Sequence, residues 1–366
     1  MRISFLLGGF TGIGGIARVT NILLNEFSSN SDYKLFTISF VKDGNNQHYE
    51  IPSNIETFHL FDKRISMSKA MLLKGAVKKL KNIIKKNNLD VIVAAGVLYY
   101  PLARLAVKGT NCRFIAWEHT NPHTVYDYNF QAWGRKNARK ASHSIVISKV
   151  AYDYYRDTLK IDKSKLSLIY NPIDPKIDMN KMYNAESKKI ISVGRLSYPK
   201  NYQSAIRVAA QVFAKRPDWA WHIYGEGEER EQIIQLINDL NLQDKVILKG
   251  SVKNLYELYG NYSFLVMTSR YEGFPMSLLE AGASGLPLVS FDIQTGPNEI
   301  IEDGKNGYLI EEKNEELMAD RIITLIDSEN LRKFMSANVK KSLSKFSIKT
   351  IRQLWFEVLK WLCFLH

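Results

Sequence analysis

The chain has 366 residues, which at roughly 100–200 per domain suggests two domains, and its 45% hydrophobic and 24% charged content excludes disorder and collagen-like order. Two cysteines, Cys112 and Cys363, lie in no metal spacing, which excludes a disulfide framework or a cysteine-bound zinc and makes a reducing compartment the default. Lys and Arg number 50 against 37 Asp and Glu, and residues 1–171 hold 25 basic and 12 acidic groups while 172–366 hold 25 of each, so the whole +13 excess directs the first half toward a polyanion, nucleic acid or anionic membrane.

Arg2–Leu7 reads as a buried first strand rather than a secretory signal, and no apolar run reaches the ~18 residues of a membrane span. Gly8-Gly9 ends that strand. Gly12-Ile13-Gly14-Gly15-Ile16-Ala17 then fits G-x-G-x-x-A ahead of a helix over Ile16–Ser28. Three readings stay open: a dinucleotide fingerprint, a turn that only packs helix on strand, and a phosphate-facing loop. The fingerprint also needs an acid at the end of the second strand, Lys34–Val41. Asp32 precedes that strand and Asp43 falls too far on, so nicotinamide chemistry is disfavoured.

Residues 74–86 carry Lys74, Lys78, Lys79, Lys81, Lys85 and Lys86 with no acid, and Leu73, Val77, Leu80 and Ile84 recur at helical spacing. This is either a solvated helix whose lysine stems cover a sheet or a membrane-surface contact; Arg135, Lys136, Arg139 and Lys140 add a second basic cluster. Aromatics are not interleaved with these lysines, so nucleic acid is not expected as a partner. Strands at Asp90–Ala95, Arg113–Trp117, His143–Ile147 and Leu166–Tyr170 alternate with helices, which implies parallel βαβ units. Asn171-Pro172-Ile173-Asp174-Pro175 ends the pattern, placing a first domain at 1–171 and a linker at 172–188.

The alternation restarts. Strands at Lys189–Val193, Trp219–Tyr224, Lys245–Lys249, Phe264–Met267, Pro287–Phe291 and Tyr308–Ile310 are separated by helices at Tyr202–Ala214, Arg230–Leu240, Asn254–Gly260, Met276–Ser284 and Pro297–Glu302. Helices over 314–328 and 329–343 follow. The second domain is therefore 189–346. A last helix, about 347–364 within a terminal segment 347–366, carries an apolar stripe through Ile351, Trp355, Val358 and Leu362; it packs on the first domain or, as the rival reading, anchors to a membrane face. The expected fold is α/β, two Rossmann-like doubly wound domains facing across a cleft, with ligands at the carboxyl ends of the strands.

Strand Ile190–Val193 runs into Gly194-Arg195-Leu196-Ser197-Tyr198-Pro199-Lys200-Asn201, where two cations at a strand end and a helix start can hold a diphosphate. Strand Phe264–Met267 runs into Thr268-Ser269-Arg270-Tyr271-Glu272-Gly273-Phe274-Pro275-Met276-Ser277 and then Glu280. Gly273 allows a tight turn, Pro275 suits a helix start, and the amides around Phe274–Ser277 can meet phosphate oxygens. Glu280, a turn further in, can accept two hydrogen bonds from a cis-diol such as ribose.

This half resembles the retaining nucleotide-sugar glycosyltransferases of family four, which have the GT-B fold. The glutamate pair Glu272 and Glu280 has the family's seven-residue spacing with Gly-Phe-Pro inside it, and Gly194-Arg195…Lys200-Asn201 matches its diphosphate stretch. Tyr224-Gly225-Glu226-Gly227 and Leu248–Val252 resemble its further nucleotide-contacting turns. The resemblance spans essentially the whole chain and is most specific over 190–300.

The resemblance implies that Arg195 and Lys200 neutralise the departing diphosphate, that Glu280 binds ribose hydroxyls and that Glu272 holds a hydroxyl of the transferred sugar. Phe274, Pro275, Met276 and Ser277 would line the donor, Val252 would lie near the base, and Gly14 and Gly15 would approach the phosphates from the first domain. His119, in Trp117-Glu118-His119-Thr120, would stand beside sugar and acceptor as a positioning group. No metal and no other cofactor is expected: Asp-x-Asp is absent and the two cations take the place of a divalent ion. The implied reaction is retaining transfer of a hexose or N-acetylhexosamine from a UDP-sugar, with GDP-mannose as the nearest rival donor, to a glycan acceptor, expected to be lipid-linked given the basic first domain. The setting would be bacterial surface polysaccharide assembly, in the cytoplasm or peripheral on the inner face of the plasma membrane. The alternatives are a same-fold epimerase or hydrolase and a non-catalytic nucleotide-sugar binder.

Overall fold

The computed structural model describes residues 1–10, 14–42, 49–63, 69–124, 128–179, 183–252 and 255–363. Gly12 and Ile13 of the first turn and the end of the terminal segment, 364–366, lie outside them. The chain divides into two compact units, Met1–Pro172 with Ile348–His366, and Ile173–Ser347. Most of the stretch read as a linker belongs to the second unit: Tyr256 donates to the Asp174 carboxylate at 2.6 Å, and the Arg332 guanidinium donates to the Ala185 carbonyl at 2.6 Å.

In the first unit the strands are β1 (Arg2–Leu7), β2 (Lys34–Val41), β3 (Glu56–Phe61), β4 (Val91–Ala95), β5 (Arg113–Glu118), β6 (His143–Val146) and β7 (Leu166–Leu168). They form one parallel sheet in the order β3-β2-β1-β4-β5-β6-β7. Continuous apolar runs such as Val-Ile-Val-Ala-Ala in β4 are buried throughout, as a strand covered on both faces must be. The cover comes from α1 (Gly15–Ser28), α2 (Lys69–Asn87), α3 (Tyr100–Val107), α4 (Tyr128–Ala138) and the short α5 (Lys149–Asp153), which continues into a π-helical turn at Tyr154–Thr158.

Three sequence expectations need correction here. β3 was not expected; Glu-Thr-Phe-His-Leu-Phe is half polar because it is an edge strand, exposed over its first residues. The seventh strand ends at Leu168 rather than Tyr170. Arg135 does not extend a basic surface: it is 3% exposed and paired with the fully buried Glu118. In α2 Leu80 and Ile84 of the expected inward face are buried, Leu73 and Val77 are half-buried against the same core, and Ala76 is buried beside them. Lys79 bonds the Leu60 carbonyl at 2.7 Å and Lys81 the Lys108 carbonyl at 2.6 Å, which leaves Lys74, Lys78, Lys85 and Lys86 exposed.

The second unit contains β8 (Lys189–Val193), β9 (Ala220–Tyr224), β10 (Val246–Gly250), β11 (Phe264–Met267), β12 (Leu288–Phe291) and β13 (Gly307–Ile310). This parallel sheet has the order β10-β9-β8-β11-β12-β13. Its helices are α6 (Tyr202–Lys215), α7 (Arg230–Asp239), α8 (Leu255–Leu258), α9 (Met276–Ala283), α10 (Pro297–Ile300), α11 (Glu315–Asp327) and α12 (Glu329–Ser342).

The last helix, α13 (Ile348–Cys363), belongs to the first unit. Its Trp355 ring lies 6.2 Å from Phe5, 6.1 Å from Phe27 and 5.0 Å from Trp117, and Ile351, Val358, Leu359 and Leu362 are buried with it. The stripe is used in packing and is not presented as an anchor. Among the described residues no helix is long and apolar enough to cross a membrane. In both sheets the strand order reverses once, between β1 and β4 and between β8 and β11. Ligands of open parallel sheets gather at the carboxyl ends of strands flanking such a point.

Candidate active site

β8 and β11 are direct neighbours, with Ile190 opposite Phe264 and Ile191 opposite Leu265. The segments leaving their carboxyl ends, 194–201 and 268–280, therefore meet in space although about 70 residues separate them in the chain. Two backbone bonds tie the first segment to the end of β9, Gly194 N–H to Tyr224 O and Leu196 N–H to Glu226 O, and a third, Gly225 N–H to Gly250 O, ties that end to β10. Such a close approach demands glycine. A Cβ on Gly225 would sit 1.9 Å from the Gly194 carbonyl oxygen, and one on Gly227 2.2 Å from that of Leu196.

Past Gly194 the chain makes a single 3-10 turn, Tyr198–Lys200, and Asn201 adopts the left-handed conformation (φ 52°, ψ 46°) before α6 begins. Thr268 donates from Oγ1 to the carbonyls of Lys200 and Asn201, and Arg270 N–H donates to Pro199 O at 2.8 Å. These bonds seat Lys200 against the second segment. Its Nζ lies 2.6 Å from Glu272 Oε1, which also accepts from Ser269 Oγ at 2.7 Å. Thr295 Oγ1 donates to the Glu272 carbonyl. Burial pushes the Tyr202 hydroxyl far above its ordinary pKa, and the neighbouring Glu272 charge pushes in the same direction.

The expected pair of unengaged cations is thus two ion pairs. Lys200 holds Glu272, and Arg195, with its side chain 72% exposed, holds Glu228 at 3.1 Å. Lys200 becomes available to a ligand by exchange with its carboxylate, whereas the exposed Arg195 meets Glu228 through its Nε.

Glu280 is not a surface charge. It lies on α9 at 1% exposure, and the Tyr259 hydroxyl donates to its Oε2 at 3.3 Å. Pro275 caps α9, whose first amides have no partner inside the helix. Phe274 is buried with its ring 5.6 Å from Phe346, so it offers this turn its backbone more than its ring. Gly296 lets the next loop close over the turn, since a Cβ there would be 2.2 Å from Pro275 Cδ. Ser277 Oγ and Asn201 Oδ1 are buried with no hydrogen-bond partner among the described residues. Buried polar atoms are rarely left so, and a site that receives a polar ligand is one explanation. Val252 is 39% exposed just after β10.

In the first unit Gly14 caps α1 in an extended conformation (φ −112°, ψ 145°), and a Cβ on Gly14 or Gly15 would meet nothing within 4 Å. Neither backbone geometry nor packing inside this unit requires glycine at these positions. His119 follows β5 and is 8% exposed, with its ring 4.1 Å from that of Trp117. Burial pulls its pKa down to about 3, so the ring is neutral at physiological pH. Its Nε2 has no hydrogen-bond partner among the described residues.

Directly behind it, Glu118 accepts from Arg135 Nε at 2.9 Å, Tyr155 Oη at 2.9 Å, Thr120 N–H at 2.9 Å and Thr120 Oγ1 at 2.6 Å. This network fixes the end of β5. Sequence reading missed Arg135, Tyr155, Ser269 and Tyr259 as supporting groups. Only Ser269, three residues before Glu272, stood close enough in sequence to be found.

Two family models match the chain. One, for glycosyl transferases group 1, matches residues 175–342, and the other, Glycosyltransferase Family 4, matches residues 13–177. A Haemophilus influenzae protein described as an uncharacterized glycosyltransferase is 26% identical over 98% of this chain and 99% of its own length. The Campylobacter jejuni N-acetylgalactosamine-N,N'-diacetylbacillosaminyl-diphospho-undecaprenol 4-alpha-N-acetylgalactosaminyltransferase is 30% identical over 65% of this chain and 67% of its own. Among solved structures, Staphylococcus aureus TarM in complex with Fondaparinux, alpha-GlcNAc-glycerol and UDP superposes with a TM-score of 0.83 at 19% identity, covering 98% of this chain and 99% of that one. A lipopolysaccharide outer core galactosyltransferase, WaaB, gives 0.78 at 21% identity, covering 98% and 99%. These structures share the fold, a pair of Rossmann-like domains of the GT-B type.

Proposed function

This chain belongs to the glycosyltransferases of group 1 and family 4, and from that premise we propose that it transfers a hexose or N-acetylhexosamine from a UDP-sugar to a hydroxyl of a glycan acceptor, with retention and without a metal ion. The observation that carries the reading is the Lys200–Glu272 pair at the joined ends of β8 and β11. An incoming diphosphate is a better partner for Lys200 than a lone carboxylate, because it carries more charge and more acceptor oxygens. Exchange would release Glu272 to accept a hydrogen bond from a sugar hydroxyl, so that donor binding itself arms the carboxylate.

Bond breaking between the anomeric carbon and the diphosphate places negative charge on the leaving oxygen. Lys200 and Arg195 stabilise that charge as it develops, which lowers the barrier more than binding the ground state would. The acceptor oxygen attacks from the face the leaving group departs, and its proton passes to the departing phosphate oxygen. Glu280, dry and held by Tyr259, suits the ribose diol. The neutral His119 positions hydroxyls by hydrogen bonding and is not a proton-transfer base. The UDP-bound neighbour supports uridine as the base, and the C. jejuni relative supports a diphospho-lipid-linked glycan as acceptor. In the same reading the exposed lysines of α2 bring the enzyme to an anionic membrane at the cytoplasmic face, in bacterial surface polysaccharide assembly.

The test is release of nucleoside diphosphate from a panel of sugar nucleotides, with and without a lipid-linked acceptor extract, in the presence of a chelator. One donor consumed in an acceptor-dependent, chelator-resistant way, with the anomeric configuration kept in the product's NMR spectrum, is the expected result. Inverted configuration or chelator sensitivity would overturn the corresponding part. Binding of the protein to anionic vesicles at low salt checks the membrane part.

A further inference from the structure

A second concave site lies in the first unit, at the amino edge of its sheet. It is a cavity of about 550 Å³ bounded by the residues just before β6 and β7 and by the last turns of α3 and α4. Gly14 and His119 follow the carboxyl ends of β1 and β5, so this cavity opens at the opposite edge of the same sheet. Its lining holds six cations, Arg104, Lys136, Arg139, Lys140, Lys160 and Lys165, against one carboxylate, Asp162.

Asp157 lies within electrostatic reach of Lys160 and Asp162 within that of Lys165, which offsets only part of the charge of six cations. Among the described residues none of the six has a carboxylate within ion-pair distance, whereas elsewhere Lys34, Lys188, Arg207 and Arg216 each hold one at 2.7 Å or closer. The Asp162 carboxylate accepts from Ser164 N–H at 2.8 Å and Ser164 Oγ at 2.7 Å through one oxygen, Oδ1. Arg104 is held in place through a neutral group, Asn137 Oδ1, at 2.9 Å. A helix carboxyl terminus attracts cations, and that accounts for Lys136, Arg139 and Lys140 at the end of α4. It does not account for Lys160 and Lys165, which arrive from a separate segment. That segment is shaped to deliver them: the π-helical turn closes with Leu159 and Ile161 bonded back to Tyr154 and Tyr155, and Lys160 takes a left-handed φ of 52°. Wider turns of this kind are often kept at functional positions.

Like charges gathered from three chain segments repel one another, and a multivalent anion relieves the repulsion while satisfying several donors at once. We propose that this cavity is a binding site for a discrete polyphosphate-type oxyanion, separate from the donor site and independent of the reading given for it. The volume is that of a small-ligand cleft, and its concavity suits a compact group of phosphates better than a flat lipid surface. The phosphates could belong to a free small molecule or to a phosphate-bearing glycan, and the two share this recognition chemistry.

Lysine footprinting on the full-length protein tests this directly. Each lysine's rate of acetylation is followed by mass spectrometry at about 0.15 M salt, where long-range attraction is screened. The probes are tripolyphosphate, a poly(glycerol phosphate) oligomer and vesicles containing phosphatidylglycerol. Tripolyphosphate is expected to slow Lys140, Lys160 and Lys165 about fivefold or more near saturation, with Lys74 and Lys85 changing less than about twofold. Lys200 reports donor-site occupancy separately. Protection by the oligomer as well identifies a polymer-borne source, and protection by tripolyphosphate alone a free one. The doubly substituted Lys140→Glu, Lys165→Glu protein should lose protection at Lys160 while Lys200 keeps its own. Equal protection of all exposed lysines, absence of protection, or protection by vesicles alone would overturn the proposal.

Discussion

Lys200 and Glu272 stand 72 residues apart in the chain and meet at 2.6 Å, with side chains 23% and 11% exposed. Without Lys200, the Ser269 hydroxyl is the one hydrogen-bond donor left to that oxygen of Glu272 among the described residues. The two losses separate in magnitude. Partial exposure limits the stability cost of Lys200→Met to about 1 kcal/mol. Loss of a cation aimed at the leaving group costs roughly 10²–10³ in kcat/KM. Chemical denaturation and donor turnover, measured on the same preparation, check both. Turnover within twofold of wild type would remove Lys200 from the site.

Arg195 makes the opposite case in the same loop. Its partner Glu228 is 58% exposed, and exposed pairs of this sort contribute about 0–1 kcal/mol. Arg195→Ala should leave the melting temperature almost unchanged while lowering kcat/KM for the donor. If thermal stability falls sharply instead, the Arg195–Glu228 pair is structural and its assignment to the diphosphate fails.

The Glu118–Arg135 pair is a structural charge pair of a different order. Both side chains are almost fully buried, and every partner of the Glu118 carboxylate belongs to the first unit. Glu118→Ala would strand the Arg135 guanidinium, and breaking a buried pair from one side costs about 3–5 kcal/mol. Replacing both partners, Glu118→Leu with Arg135→Met, should recover much of that loss. A double substitution no more stable than Glu118→Ala would show that the pair does more than satisfy itself.

Among the described residues three histidines are held below their ordinary pKa by burial, His119 to about 3 and His143 and His222 to about 4. The unfolded chain takes up protons at these positions from about pH 6.5 downward, while the folded chain does not. Stability is therefore complete above about pH 6.5 and falls as the solution is acidified toward pH 4, by about 1.4 kcal/mol per pH unit for each fully buried histidine. His119→Gln should flatten part of this slope in pH-dependent denaturation and leave the pH profile of turnover without a lost ionisation near 6.5. A lost ionisation there would mean that His119 titrates in the active enzyme.

The second unit was the more legible half. Glycine ends or follows β8, β9 and β10, and α9 and α10 start at prolines, so Gly194, Gly273 and Pro275 announce turns, and the spacing of Glu272 and Glu280 survives as a pattern in one local segment. What sequence could not show is which groups exchange partners. Lys200 and Arg195 read as a free pair because Glu272 and Glu228 reach them only through the pairing of β8 with its neighbours. In the first unit Arg135 looked like a surface charge; a basic run such as Arg135–Lys140 gives no sign of which member turns inward. β3 escaped because an edge strand keeps one half of its residues polar.

Glycine provides the sharpest separation of fold from function. At Gly225 a methyl group would sit 1.9 Å from the Gly194 carbonyl oxygen, where no side chain can yield, and φ is +145°. Gly225→Ala should therefore prevent the β8 and β9 loops from closing and destabilise the second unit by several kcal/mol, on the order of the largest single-residue effects. At Gly14 and Gly15 a methyl group meets nothing within 4 Å, and Gly14 has an extended conformation open to any residue. Gly14→Ala and Gly15→Ala should then keep wild-type melting temperatures. If this loop faces the donor phosphates, the same changes occupy the space a phosphate needs and weaken donor binding about tenfold or more, close to 1.4 kcal/mol. Calorimetric titration with the donor identified by turnover decides it: unchanged affinity in both variants would return the loop to a simple packing turn.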